Sequence, residues 1–176
     1  IDPLLKSIQQ RKVVELTYQS FKASEPKLFI IHPYLLKEYR NRWFIFGVLH
    51  SKKQIFTFAL DRIHKMKELP SVPFHEPTFN VHDHFKNAIG VTKSFQQREE
   101  KIIFRATPEA APYIITKPIH DSQIVIDTNE HATTFQVNVV WNFELEKEIL
   151  AFGEQVEVVG PRKIREVIVK RLNRTL

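Results

Sequence analysis

The stretch IHPYLLKEYRNRWFIFGVLHSKKQIFTFALDRIHKMKEL, residues 31–69, decides how the first half of this chain folds. It sets Pro33-Tyr34, Arg42-Trp43-Phe44-Ile45 and Leu60-Asp61-Arg62-Ile63 into three closely spaced strands. Alternating apolar positions there face a small core, and the interleaved Arg, His, Lys and aromatic residues face outward. Such a surface suits an anionic, stackable ligand better than a metal or an acyl group.

The same period extends on both sides of this stretch. Residues 13–18 place Val14, Leu16 and Tyr18 on one face and Glu15 and Thr17 on the other. Residues 28–39, 42–50 and 54–60 read as three more strands, with Asn41 and Lys52-Lys53 in the turns, and 65–69 adds an edge strand. Asp2-Pro3 reads as a cap and first-turn proline for a short helix carrying Leu4, Leu5 and Ile8 at helical spacing. Residues 20–27 are polar and contain a proline, hence a loop. Four or five short antiparallel strands with few glycines predict a small β-barrel over residues 1–70.

Pro70, Pro73 and Pro77 mark residues 71–98 as a linker, with a short helix over 80–88 and a polar lead over 91–97. The pattern then changes. A strand over 101–106 and a helix over 108–115 precede strands over 123–127 and 133–141, which the turn Asn129-Glu130-His131 joins. A helix over 143–152, a strand over 155–159 and a helix over 161–172 complete the chain. The order β-α-β-β-α-β-α predicts a ferredoxin-like α/β unit over 99–176 with one extra helix. The fold class is therefore α+β, a barrel followed by a ferredoxin-like unit.

Composition narrows the chemistry. At 176 residues, 43% of them hydrophobic and fourteen of them Phe, the chain has material for two small cores. Without cysteine it holds no disulfide, no thiol nucleophile and no Cys-based zinc site, which fits a reducing cytoplasm. No apolar run is long enough to span a membrane. The chain opens Ile-Asp-Pro, without a signal-peptide pattern, and reads as a fragment lacking its N-terminal part. Residues 1–70 hold 13 Lys and Arg against 6 Asp and Glu, more than the whole net charge of +6. That half is the candidate surface for a polyanion, the alternative being a solvated basic face with no partner.

The candidate residues follow. Arg62, next to Asp61, offers a rigid fork of donors suited to phosphate; the alternative is a weak surface pair with Asp61 or a Glu. Arg42 and Trp43 are neighbours in a strand and point to opposite faces, so Arg42 reads as the ligand residue and Trp43 as a core residue. Trp43 stays in the site as a secondary candidate. His32 and Tyr34 share a face, where Tyr34 either stacks on a base or sits half-buried. Tyr18 and Ser20 end the first strand and reach toward the same mouth. Lys22, Lys27 and Lys37 add a diffuse field.

Other motifs carry less. His82 and His84 diverge on a helix, and no HExxH motif accompanies them, so no metal site is expected. His120-Asp121-Ser122 has the residue types of a triad, but adjacent side chains diverge and no catalytic residue is assigned. The basic last helix, with Arg162, Lys163, Arg165, Lys170, Arg171 and Arg174, is a solvated face or a contact for DNA or a second subunit.

Several spaced blocks carry a resemblance. Trp43-Phe44-Ile45, the upstream Pro33-Tyr34-Leu35-Leu36 and the downstream block from Phe58 through Leu60-Asp61-Arg62-Ile63 stand in the order of the WYL-domain transcriptional regulators of bacteria. Farther on, Pro118-Ile119-His120-Asp121-Ser122-Gln123 and Gly153-Glu154-Gln155-Val156-Glu157-Val158 resemble the extension that follows the WYL domain in that family. Phe44 stands where the signature has Tyr, and Ala59 where many members have Arg.

The resemblance implies an Sm-like, SH3-type barrel that senses a ligand, in several cases single-stranded DNA or RNA or a nucleotide. It also implies a winged helix-turn-helix upstream that binds duplex DNA. The ferredoxin-like unit is expected to serve dimerisation, giving a homodimer, or to transmit the signal. The expected function is the regulatory module of a transcription factor, not an enzyme, with no cofactor. The alternative is a nucleic-acid-binding accessory module of a defence or repair system.

Overall fold

A computed structural model of the chain describes residues 1–52, 55–93 and 97–174. The chain divides into two units, Ile1–Lys86 and Asn87–Leu176, each with its own antiparallel sheet and core. The class is mixed α+β, as the alternation of periods predicts.

In the first unit, helix α1 (Asp2–Gln9) precedes strands β1 (Val14–Tyr18), β2 (Lys27–Tyr39), β3 (Arg42–Leu49), β4 (Ile55–Ala59) and β5 (Ile63–Glu68). The strands pair antiparallel in the order β4-β3-β2-β1-β5. The expected strand over 54–60 begins at Ile55 within the described residues; its first position, Gln54, and the turn residue Lys53 lie outside them. It also ends early, because Leu60–Arg62 form a 3₁₀ turn that redirects the chain into β5. The edge strand expected over 65–69 starts at Ile63 and lies against β1.

The β2–β3 hairpin organises this sheet. Its register runs from Ile31 opposite Leu49 to Tyr39 opposite Arg42. At its tip Arg40 and Asn41 have φ of 51° and 61°. Two consecutive positive φ values are the signature of the tight turn whose twist matches paired strands. The register slips between Pro33 and Leu35, leaving Tyr34 as the extra residue of a bulge. Proline has no N–H to give a ladder, so a bulge is where a paired strand tolerates it. Val14, Leu16, Tyr18, Ile31, Ile45, Leu49 and Phe58 bury together with Leu4 of α1.

The stretch from Pro70, read from its prolines as a linker, belongs to the first unit up to Lys86. Phe74 packs edge-on against Tyr34, with ring centroids 5.8 Å apart, and Phe85 tilts against Phe46 at 4.3 Å. The short helix α2 (Val81–His84) begins at Asn80, whose carboxamide accepts the His82 amide at 3.0 Å. It stops well short of the 80–88 expected, because Phe85 leaves the helical region at φ −102°, ψ 0°.

In the second unit β6 (Glu99–Ala106), β7 (Ile124–Thr128), β8 (Thr133–Val140) and β9 (Val156–Gly160) pair in the order β7-β8-β6-β9. Helices α3 (Ala111–Thr116), α4 (Phe143–Leu150) and α5 (Arg162–Leu172) lend Ile114, Leu145, Ile149, Ile164 and Ile168 to a core around the stacked rings of Phe104 and Phe135. Asn142 caps α4, accepting from the Leu145 amide at 2.9 Å, while its own amide donates to the Ile89 carbonyl at 2.7 Å. Strand β7 differs from the rest: all five of its residues are exposed.

Gly47 lies opposite Pro33 at the bulge. A Cβ there would stand 2.4 Å from the His32 carbonyl oxygen and 3.2 Å from the Pro33 Cα, both backbone atoms. Gly47→Ala is therefore expected to destabilise the chain by roughly 1–3 kcal/mol, as overpacking does. Urea unfolding of parent and variant checks this through a lower midpoint at unchanged slope.

Candidate ligand-binding surface

Phe44 pairs with Ala59, so the 3₁₀ turn after β4 stands beside the start of β3. This puts Arg42 and Arg62 on one carboxylate. Arg42 Nε is 3.7 Å from one Asp61 oxygen, and Arg62 Nε is 3.9 Å from the other. The Arg62 guanidinium also lies over the ring of Phe21, 3.9 Å from its centroid. The loop after β1 carries Phe21 and is tied to the turn by the Gln19 amide, which donates to the Arg62 carbonyl at 3.2 Å. Ser20 belongs to that loop, and its carbonyl accepts from the Ala23 amide at 3.0 Å.

These pairs are weak individually, because exposed ion pairs contribute under about 1 kcal/mol. Their geometry matters more. Two guanidinium groups on one carboxylate leave a positive excess, and a cation over an aromatic face keeps a fixed orientation. Arg62 Nε is buried and makes no hydrogen bond among the described residues. Phe21 itself is 74% exposed.

Trp43 corrects the alternation reading. Alternation places it in the core, yet it is 40% exposed, next to Arg42, whose side chain is half exposed. Trp43 has the inward parity of Ile45 and Leu49, but it sits by the hairpin tip, beyond the cluster those two join. Its ring is open for stacking. Tyr18 goes the other way. It is 9% exposed and packs edge-on against Phe58 at 5.0 Å and Phe29 at 6.2 Å, so it is a core residue and not part of an open mouth.

His32 and Tyr34 do share a face, but not an open one. His32 is wholly buried. Its Nδ1 accepts from the His75 amide at 3.0 Å, and its Nε2 stands 3.1 Å from His50 Nδ1. The His75 ring stacks on it, with centroids 4.2 Å apart and planes 11° apart. The Tyr34 hydroxyl donates to the His75 carbonyl at 2.9 Å. The segment after β5 thus covers this face. Burial, helped by the nearby His75 and His50, pushes the His32 imidazole down from 6.5 to about 4. Burial and Glu76 push the Tyr34 phenol up.

Sequence reasoning missed Phe21, which sits in a loop read as polar, and also His75, hidden among prolines. His120 and Ser122 do not diverge as expected; their side chains meet at 2.9 Å, and Ser122 Oγ donates to the Asn138 carbonyl at 3.1 Å, fixing a turn. The basic residues of α5 are largely paired within their own unit. Arg162 meets Glu166 at 2.7 Å, Arg165 meets Glu157 at 2.6 Å, Lys163 meets Glu100 at 2.7 Å, and Arg171 meets Glu146.

Two family matches fall one in each unit, and residues 69–97 lie outside both. Residues 1–68 match the WYL domain and residues 98–176 match the WCX domain. The chain belongs to the WYL-domain proteins, as its spaced blocks imply, and carries a WYL domain followed by a WCX domain. No curated protein matches it. Among solved structures it is similar to a CRISPR Cas-related protein, at 10% identity and TM-score 0.56, over 99% of this chain and 51% of that one. It is also similar to proteasome accessory factor B/C (PafBC) of Arthrobacter aurescens, at 17% identity and TM-score 0.44, over 98% of this chain and 26% of that one. The chain therefore spans about a half of the first relative and about a quarter of the second.

The His32 shift has a sign. A histidine whose folded pKa lies below its unfolded one stabilises the fold above the unfolded value. That contribution is lost as pH falls through the window from 6.5 to about 4. Stability is expected to drop there with a slope of up to about 1.4 kcal/mol per pH unit. Glu68, held below its usual value of 4.5 by its hydrogen bond to Lys12, adds its own loss only at more acid pH. Urea midpoints from pH 7.5 to 4.5, with chelator present, check this; the His32→Asn variant is expected to lose most of the slope.

Proposed function

We propose that this chain is the ligand-sensing part of a bacterial transcriptional regulator, and that it binds a nucleic-acid-like, anionic effector on the surface formed by Arg42, Arg62, Trp43, Phe21 and Ser20. The observation that carries the reading is Arg62. Its guanidinium is oriented by Phe21 and Asp61, and its buried Nε makes no hydrogen bond among the described residues. A phosphate oxygen would accept from the accessible part of that guanidinium and from Arg42, whose side chain is half exposed, and the exposed rings of Trp43 and Phe21 suit stacking by bases. The charge of the first 70 residues supports an anionic ligand, while the paired cations of α5 offer less.

In this reading the chain binds and does not catalyse. It acts in the cytoplasm as a homodimer, and duplex DNA is met by a helix-turn-helix upstream. The five-stranded sheet is taken as a small Sm-like, SH3-type barrel and the four-stranded sheet as a ferredoxin-like unit, in keeping with their strand orders. A defence-associated role, in keeping with the likeness to a CRISPR Cas-related protein, is the second reading.

Labelled single-stranded DNA and RNA titrated with the chain at two salt concentrations test the proposal. Affinity is expected to fall with salt at a slope of about −0.7 per phosphate contact. Arg62→Ala is expected to weaken binding by roughly 1–3 kcal/mol, the range for a charge-assisted hydrogen bond, and to leave the thermal transition in place. Arg174→Ala is expected to change little. Unaltered binding by a folded Arg62→Ala variant rejects this surface.

A further inference from the structure

We propose that His32, His50 and His75 form a binding site for one divalent d-block cation, zinc foremost, joining the β2–β3 hairpin to the segment that follows β5. The three residues are far apart in sequence. His32 lies in β2, His50 directly follows β3, and His75 lies between β5 and α2. Each offers a ring nitrogen, and the three nitrogens fall within 4.8 Å of one another.

The spacing suits zinc. Two imidazole nitrogens bound tetrahedrally at 2.0–2.1 Å lie about 3.3 Å apart. His32 Nε2 and His50 Nδ1 are 3.1 Å apart. His75 stacks on His32, and it is exposed, so turning its ring brings a nitrogen to the same point. The buried His32 fixes one ligand, and the two exposed histidines leave a fourth position to water. Neutral imidazoles without a carboxylate favour zinc, cobalt, nickel and copper over magnesium and calcium.

The proton balance is simple. The His75 amide donates to His32 Nδ1, which leaves the proton of the neutral ring on Nε2. That proton makes the contact with His50 Nδ1. Coordination through Nε2 moves it to Nδ1, and the His75 amide then turns away from the ring. His32 keeps its single proton and stays neutral. The exchange replaces two hydrogen bonds by metal–nitrogen bonds and staples the segment carrying His75 to the hairpin.

The test uses the complete chain without a histidine tag. Calorimetric titration with zinc chloride is expected to show one equivalent bound per chain, and cobalt(II) is expected to give visible absorption bands of low coordination number. His50→Ala and His75→Ala, both at exposed positions, are each expected to weaken zinc binding tenfold or more. His131→Ala, at an exposed histidine of the other unit, is expected to leave it unchanged. Hydrogen exchange at residues 72–76 is expected to slow when zinc is added to the parent and not to His75→Ala. The proposal is overturned if the parent binds no zinc. It is equally overturned if either folded variant binds as tightly as the parent.

Discussion

The β2–β3 hairpin is the constraint on which the first unit depends. Its close approach at Gly47, its bulge at Tyr34 and its tip at Arg40-Asn41 each fix a different part of the register. A slip by one residue would move Ile31, Ile45 and Leu49 out of the core together, because strand side chains alternate with period two. The same register puts Arg42 and Trp43 at the open end beside the 3₁₀ turn, and His32 beneath the segment that follows β5. The cationic surface and the histidine cluster are thus two products of one pairing. They lie on residues whose positions the hairpin sets, and they use different side chains.

Aromatic residues divide between the two tasks by position along the strands. Tyr18, Phe29 and Phe58 meet within the sheet's core at 5.0–6.2 Å. Phe21 and Trp43, at a loop and a strand end, stay open. The type of residue is the same in both places. What separates them is whether a neighbouring element reaches far enough to cover the ring. At the tip of this hairpin none of the described residues does so fully, and a cation laid over such a ring gains orientation at little cost in desolvation.

The sequence revealed the periodic parts well. The strands of both units, the turn at Asn41 and the change of pattern after the prolines were all legible, because alternation and turn chemistry are local. Arg42 and Arg62 were also legible as charged residues at strand ends. What was not legible depends on contacts between residues far apart in the chain. The burial of His32 comes from a segment more than forty positions away, and prolines there gave no sign that it would fold back. Trp43 had the inward parity of its strand but not the depth, and parity says nothing about where a core ends. Phe21 stood in a polar loop, and the pairing of Tyr18 with Ile63, continued by the Gln19–Arg62 backbone contact, brings it under the guanidinium.

Strand β7 has a consequence for the second unit as a material. It ends the sheet, and its Ile124, Val125 and Ile126 are 52%, 48% and 46% exposed. An outer strand of this kind offers a row of unmatched amides and carbonyls, with an apolar side chain at each of three steps, to any other extended chain. Two features blunt it. The register shifts between Val125 and Asp127, which twists the edge, and Asp127 places a charge on the strand. How readily this edge would take up another extended chain is therefore set by that acidic side chain and that irregularity more than by the packing of the interior.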